Sequence, residues 1–107
     1  MRLAKPFIDL GLQTNQRESM LAFWGQTVGL EFEELLKVGG GTHQLRHQCN
    51  GSVFKLNHLR APLQDRPVSG YQGLILAEDS VDEPVTLADP DGNRVTLVPP
   101  GYDGIEQ

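Results

Sequence analysis

Asn50-Gly51 is the feature that most narrows what this chain can fold into. Asn-Gly between two runs of alternating residues is the strongest short signal for a hairpin with a two-residue type I′ turn. A two-residue loop fixes the register on both sides. It sets Thr42–Cys49 against Ser52–Leu59. Cys49 then faces Ser52, His47 faces Phe54, Leu45 faces Leu56 and His43 faces His58, all on one side of the ribbon. The other side carries Gln48 with Val53, Arg46 with Lys55, and Gln44 with Asn57. The first side holds Leu45, Phe54 and Leu56 and is expected to pack inward. The second is the more polar.

A second turn closes the chain at Asp89-Pro90-Asp91-Gly92-Asn93. Proline presets the first corner, glycine takes a positive φ, and the Asp and Asn side chains can bond their own backbone. Val85–Ala88 precedes this turn. The strand after it puts Val95 and Leu97 on one face and Arg94, Thr96 and Val98 on the other.

Upstream, Phe7–Leu12 reads as a first strand. Asn15 followed by Glu18 reads as a capping box, opening a helix. Leu21, Trp24 and Val28 fall on one helical face, with Met20 and Phe23 beside them. Gly29 ends the helix. Gly25 inside it costs about 1 kcal/mol relative to alanine, which points to close approach of a neighbouring element. Leu30–Val38 is a second strand. Glu34 lies on its phase with Phe32, Leu36 and Val38, so it reaches the polar face or sits at an edge. Residues 60–70, with Pro62 and Pro67, read as a linker. Tyr71–Ala77 is another strand, and residues 78–84 are too few for an ordinary helix.

The 107 residues suit one domain. A net charge of −5, with only nine Lys and Arg, argues against nucleic acid as a partner. No apolar run is long enough to span a bilayer, so no membrane partner is expected. The single Cys49 cannot form an internal disulfide, and no secretion segment follows Met1–Pro6; the expected compartment is the cytoplasm.

Phe23-Trp24 followed by Val28-Gly29-Leu30 resembles the end of the first helix in the vicinal oxygen chelate superfamily, the glyoxalase, bleomycin-resistance and extradiol dioxygenase group. Asp89-Pro90-Asp91-Gly92-Asn93 with Val95-Thr96-Leu97 resembles its final turn and strand. The resemblance spans nearly the whole chain. It implies an α+β fold of βαβββ modules forming a curled mixed sheet around a cavity. Residues 1–59 would be a complete module, 60–70 a linker, 71–100 a second module lacking its helix and one strand, and 101–107 a tail. A missing helix would leave apolar sheet surface bare, which points to a homodimer.

Active enzymes of the group commonly hold a divalent metal on four strands. The matching positions here are Asp9, Lys55, Gln72 and Thr96. One carboxylate beside an ammonium suits zinc or iron poorly, so no metal and no other cofactor is expected. His43 and His58 face each other but lack a third ligand, and the histidines read as sheet-margin residues. Cys49 has no activating base beside it and reads as an inert thiol. No catalytic residue is assigned.

The face of Asp9 and Lys55 also gathers Gln44, Arg46, Val53, Asn57, Gln72, Leu74, Leu76, Arg94, Thr96 and Val98 by strand alternation. Asp9, Arg46, Lys55, Asn57, Gln72, Arg94 and Thr96 are the candidate ligand-binding residues. A few polar groups on an apolar wall are what small-molecule sites use. Asp9 and Lys55 also read as a simple pair standing where a metal would be. The expected function is metal-independent binding of a small molecule, anionic or aromatic. The alternatives are a divalent-metal lyase, isomerase or dioxygenase, and a module that acts only in subunit assembly.

Overall fold

A computed structural model describes residues 1–2, 4–63 and 73–104. The chain divides into two compact units, Met1–Asp65 and Arg66–Gln107. Both carry mixed sheets, and the architecture is α+β with a single short helical element among the described residues.

The first unit runs β1 (Asp9–Thr14), α1 (Arg17–Ala22), a π-helical turn (Phe23–Thr27), β2 (Glu31–Lys37), β3 (Thr42–Cys49) and β4 (Ser52–Leu59). Its sheet has the order β1-β4-β3-β2, with β1 parallel to β4 and the other pairs antiparallel. This is a complete βαβββ arrangement. The register of β3 and β4 follows the two-residue loop at every pair from Cys49–Ser52 to His43–His58. Asn50 and Gly51 take φ of 50° and 88°, as a type I′ turn requires. The Phe7 ring lies over this turn, and a Cβ on Gly51 would fall 2.9 Å from it.

β1 begins two residues later than expected and runs on to Thr14, whose side chain is buried. The helix does not use the expected capping box. Gln16 stands at the N-cap without a side-chain cap, and its N–H donates to Thr14 Oγ1 at 2.9 Å. Asn15 is drawn away to the chain after β4. Its Nδ2 donates to the Leu59 and Ala61 carbonyls, each at 2.8 Å, and its Oδ1 accepts from Leu63 N at 2.7 Å. Three bonds to backbone groups more than forty residues away outweigh one local cap.

Met20, Trp24 and Val28, four apart, are the buried stripe, rather than a stripe led by Leu21. Val28 N reaches back five residues to the Phe23 carbonyl at 2.8 Å, closing the π-helical turn, and Gly29 follows with φ of 93°. No neighbouring element crowds Gly25; the nearest atom to a Cβ there would be the Leu30 carbonyl oxygen at 4.0 Å. Trp24 stacks tilted on Phe54 at 4.4 Å between centroids. Leu45, His47, Phe54 and Leu56 line the same core, the side of the hairpin expected to face inward.

His47 is therefore a core residue, not a marginal one. Its Nδ1 lies 3.1 Å from the Leu45 carbonyl, so that nitrogen carries the proton and donates. Its Nε2 is buried with no hydrogen-bond partner among the described residues. Burial holds the imidazole below its ordinary value of 6.5, while the Leu45 and Phe54 backbone pull weakly the other way. Below pH 6.5 the unfolded chain takes up a proton that folded His47 refuses, so stability is present above that pH and declines as pH falls. Urea midpoints are expected to drop between pH 7 and pH 5.5. His47→Leu is expected to flatten that drop, and an equal slope in both proteins would contradict this assignment.

β2 carries a bulge. Phe32 pairs with His47, but Glu34 pairs with Arg46 and Leu35 with Leu45. The extra residue, Glu33, shifts the phase, so Glu34 and Leu36 move to the polar face. Glu34 thus shares the face of Arg46, and β2 is an edge of the sheet.

The second unit holds β5 (Leu74–Ala77), β6 (Val85–Ala88) and β7 (Arg94–Val98) in the order β5-β7-β6. β5 is parallel to β7, and β6 is antiparallel to it. Residues 78–84 form turns, with no helix among the described residues of this unit. The register corrects one expectation. Leu74 pairs with Val95 and Leu76 with Leu97, so both leucines lie on the face opposite Arg94, Thr96 and Val98. Val95, Leu97 and Val98 are buried, and the exposed Ile75 and Val85 belong to opposite faces.

Candidate functional site

The polar face of the first sheet is built by the alternation of four strands. Asp9 lies on β1 beside Val53, and Lys55 is two residues further along β4. The diagonal brings them together: Lys55 Nζ donates to Asp9 Oδ2 at 2.8 Å. Lys5 donates to the other oxygen, Oδ1, at 2.9 Å. The Lys55 hydrogen bond first, and then that of Lys5, hold the Asp9 carboxyl at about 2, below its ordinary 3.8. The carboxylate stays ionised through the physiological range, with both oxygens engaged.

A second set of contacts crosses the same face. Arg46 Nη1 donates to Gln44 Oε1 at 2.9 Å, and Gln44 Nε2 donates to Asn57 Oδ1 at 3.1 Å. The Asn57 amide lies over Gly11, where a Cβ would come within 3.2 Å of Nδ2. Glu34 Oε1 stands 3.7 Å from Arg46 Nε, an ion pair outside hydrogen-bond distance. The Lys55 and Arg46 side chains are 21% and 23% exposed, neither sealed nor fully in solvent.

Of the candidate residues, Asp9, Arg46, Lys55 and Asn57 share this face. Arg94 and Thr96 belong to the second unit, on one face of β7. The Thr96 hydroxyl bonds that of Thr86 at 2.9 Å. Gln72 lies outside the described residues, as does the start of the strand expected from Tyr71. Three further residues, Lys5, Gln44 and Gly11, take part in this face. Lys5 precedes the first strand, where no periodicity points to it. Gln44 was legible as a polar-face residue through its pairing with Asn57. Gly11 carried the signal of a glycine inside a strand, which marks close approach of another group.

A mixed βαβββ sheet with a helix on one side and this polar set on the other defines a class of fold shared by binding proteins and enzymes. No protein-family model matches the sequence, and no curated protein matches it. Solved structures do. An antibiotic binding protein, TnmS3 from Streptomyces sp. CB03234, is 18% identical with a TM-score of 0.65, over 94% of this chain and 100% of that one. A glyoxalase/bleomycin resistance protein from the same organism is 19% identical with a TM-score of 0.61, over 86% and 98%. Lactoylglutathione lyase from Agrobacterium tumefaciens is 18% identical with a TM-score of 0.59, over 97% and 100%. The chain shares the fold of these glyoxalase/bleomycin resistance structures. One fold carrying both a binding protein and a lyase leaves the reaction to be argued from the site.

The metal positions implied by that fold are a test of the residues present. Asp9 offers one carboxylate, already bonded by two ammonium groups. Lys55 brings a positive charge where a ligand lone pair is required. The Thr96 hydroxyl is a weak neutral donor. Among the described residues no group of three or more His, Cys, Asp or Glu is placed to share an ion. This donor set does not fit a divalent cation. Burial pushes the Cys49 thiol above its ordinary value, which disfavours the thiolate form. No described helix is long and apolar enough to cross a membrane.

Proposed function

We propose that the protein binds a small molecule on the polar face of its first sheet, without a metal ion. The observation that carries this reading is the Lys55 ammonium seated on Asp9 at 2.8 Å, at two of the positions that the family resemblance matches to metal ligands. An ammonium there repels a divalent cation, and the ion pair satisfies the carboxylate that would otherwise attract one. The similarity to an antibiotic binding protein supports binding as a use of this fold.

A thermal-shift screen of small organic compounds tests the reading. Compounds that raise the melting temperature of the wild-type protein are expected. Lys55→Ala is expected to abolish that shift while the unliganded melt stays close to wild type, because Asp9 keeps Lys5 as a partner. A screen without a responding compound, or a response indifferent to Lys55→Ala, would remove the reading.

A further inference from the structure

Arg46 fixes the direction of the Gln44 and Asn57 amides on this face. A guanidinium has donors and no acceptor, so Gln44 must turn its oxygen toward Arg46. Its Nε2 then points to Asn57, which must answer with its own oxygen. What remains at the end of the chain is Asn57 Nδ2, a donor, held over Gly11. The Gln44 and Asn57 amide oxygens each accept a bond within the network, and so does each oxygen of Asp9. The groups this chain of contacts leaves over are donors: the rest of the Arg46 guanidinium, Lys55 Nζ and Asn57 Nδ2.

Charge points the same way. Arg46 and Lys55 are directly opposite in the register of β3 and β4. Like charges so placed destabilise a sheet unless something offsets them. Asp9 offsets Lys55 closely, whereas Glu34 stands off Arg46 at 3.7 Å and is largely exposed. Lys5, Lys55 and Arg46 gather around the Asp9 and Glu34 carboxylates, while Glu31 and Glu33 stand beside Gln48 further along the sheet. Two opposed cations with unspent donors on an acidic protein are a selective feature, not a consequence of overall composition.

We propose that this face receives an oxyanion group of a small molecule, a carboxylate or a phosphoryl group, held by Arg46 and Lys55 with Asn57 as the neutral donor. The assignment rests on the reading of this face as a ligand site and names the chemistry that the site selects. Arg46 is the specificity-determining residue. Gln44 is a positioning residue, because it fixes the guanidinium and passes its direction to Asn57. An anion between two cations forms charge-assisted hydrogen bonds of the strong kind.

The test uses the whole protein and three aromatic probes of similar size: benzoate, phenyl phosphate and neutral benzamide. Each is titrated in a phosphate-free buffer while the Arg46 Nε–H and Asn57 side-chain NH₂ signals are followed by NMR. Saturable shifts with benzoate or phenyl phosphate and not with benzamide are expected. The tighter of the two anions identifies the carboxylate or the phosphoryl source. Arg46→Gln is expected to weaken the anion by about tenfold or more. Gln44→Leu is expected to weaken it less while broadening the Arg46 signal. Asn57→Asp, which replaces the terminal donor by a carboxylate, gives an independent check and is expected to abolish binding. If benzamide shifts these signals as strongly as the anions do, the oxyanion assignment falls and the small-molecule reading stands. If none of the three probes moves these signals, while screen compounds bind and respond to Lys55→Ala, the assignment falls alone. If neither probes nor screen compounds bind this face, both fall.

Discussion

Trp24→Ala is expected to destabilise the protein by about 3–5 kcal/mol, the range for deleting a buried aromatic side chain. Trp24 is fully buried, stacks on Phe54 at 4.4 Å and meets Phe23 edge-on at 5.2 Å. It sits in the π-helical turn, so the cavity left behind is bounded by the helix on one side and by the sheet on the other. Leu45, Leu56 and Phe54 are held in a fixed hairpin register and cannot collapse into it without breaking that register. A domain of this size has a total stability of only about 5–15 kcal/mol. The substitution is therefore expected to lower the melting temperature by some tens of degrees or to leave the chain largely unfolded at 37 °C. Trp24→Phe, which keeps a ring on Phe54, is expected to lose less than half as much. Urea denaturation followed by circular dichroism gives both values. A loss below about 1 kcal/mol for Trp24→Ala would show that the helix is not anchored through this ring.

Asp89→Ala is the second large effect, expected at about 2–3 kcal/mol, since hydrogen bonds to a charged acceptor contribute more than neutral ones. Asp89 is buried, and its Oδ1 accepts from Asp91 N at 2.9 Å and from Asn93 N at 2.8 Å. Asn93 Nδ2 donates to Oδ2 at 3.0 Å. Asp89 thus organises the turn between β6 and β7 from within, and alanine would leave two backbone N–H groups without their acceptor. Asp89→Asn keeps one oxygen for those N–H groups and is expected to lose clearly less. Equal losses for alanine and asparagine in chemical denaturation would mean that the charge, rather than the acceptor geometry, holds the turn.

What could be read from the residues alone was what is local. The register of β3 and β4 follows from Asn50-Gly51, because two residues with positive φ leave no freedom in the pairing. The turn at Asp89–Asn93 follows from side chains that bond within five residues. The grouping of Asp9, Arg46, Lys55 and Asn57 on one face follows from alternation plus that register. The differences at Asn15, β2, β5 and His47 concern bonds or pairings between distant segments. Asn15 is spent on carbonyls near residue 60 and not on the helix beside it. The bulge at Glu33 carries no glycine to announce it, yet it moves Glu34 onto Arg46. The parallel register of β5 on β7 is set by no turn, so strand alternation alone does not give the face of Leu74 and Leu76. His47 was expected at the margin because the depth of the core under Trp24 and Phe54 has no sequence signature.

The most direct test of the account is elemental mass spectrometry on untagged protein, purified without chelator, then incubated with excess zinc, iron(II) or manganese(II) and desalted. The Lys55–Asp9 pair predicts that no divalent metal is retained near one ion per chain. Stoichiometric retention of any of the three would contradict it and make a divalent-metal enzyme the leading reading of this fold.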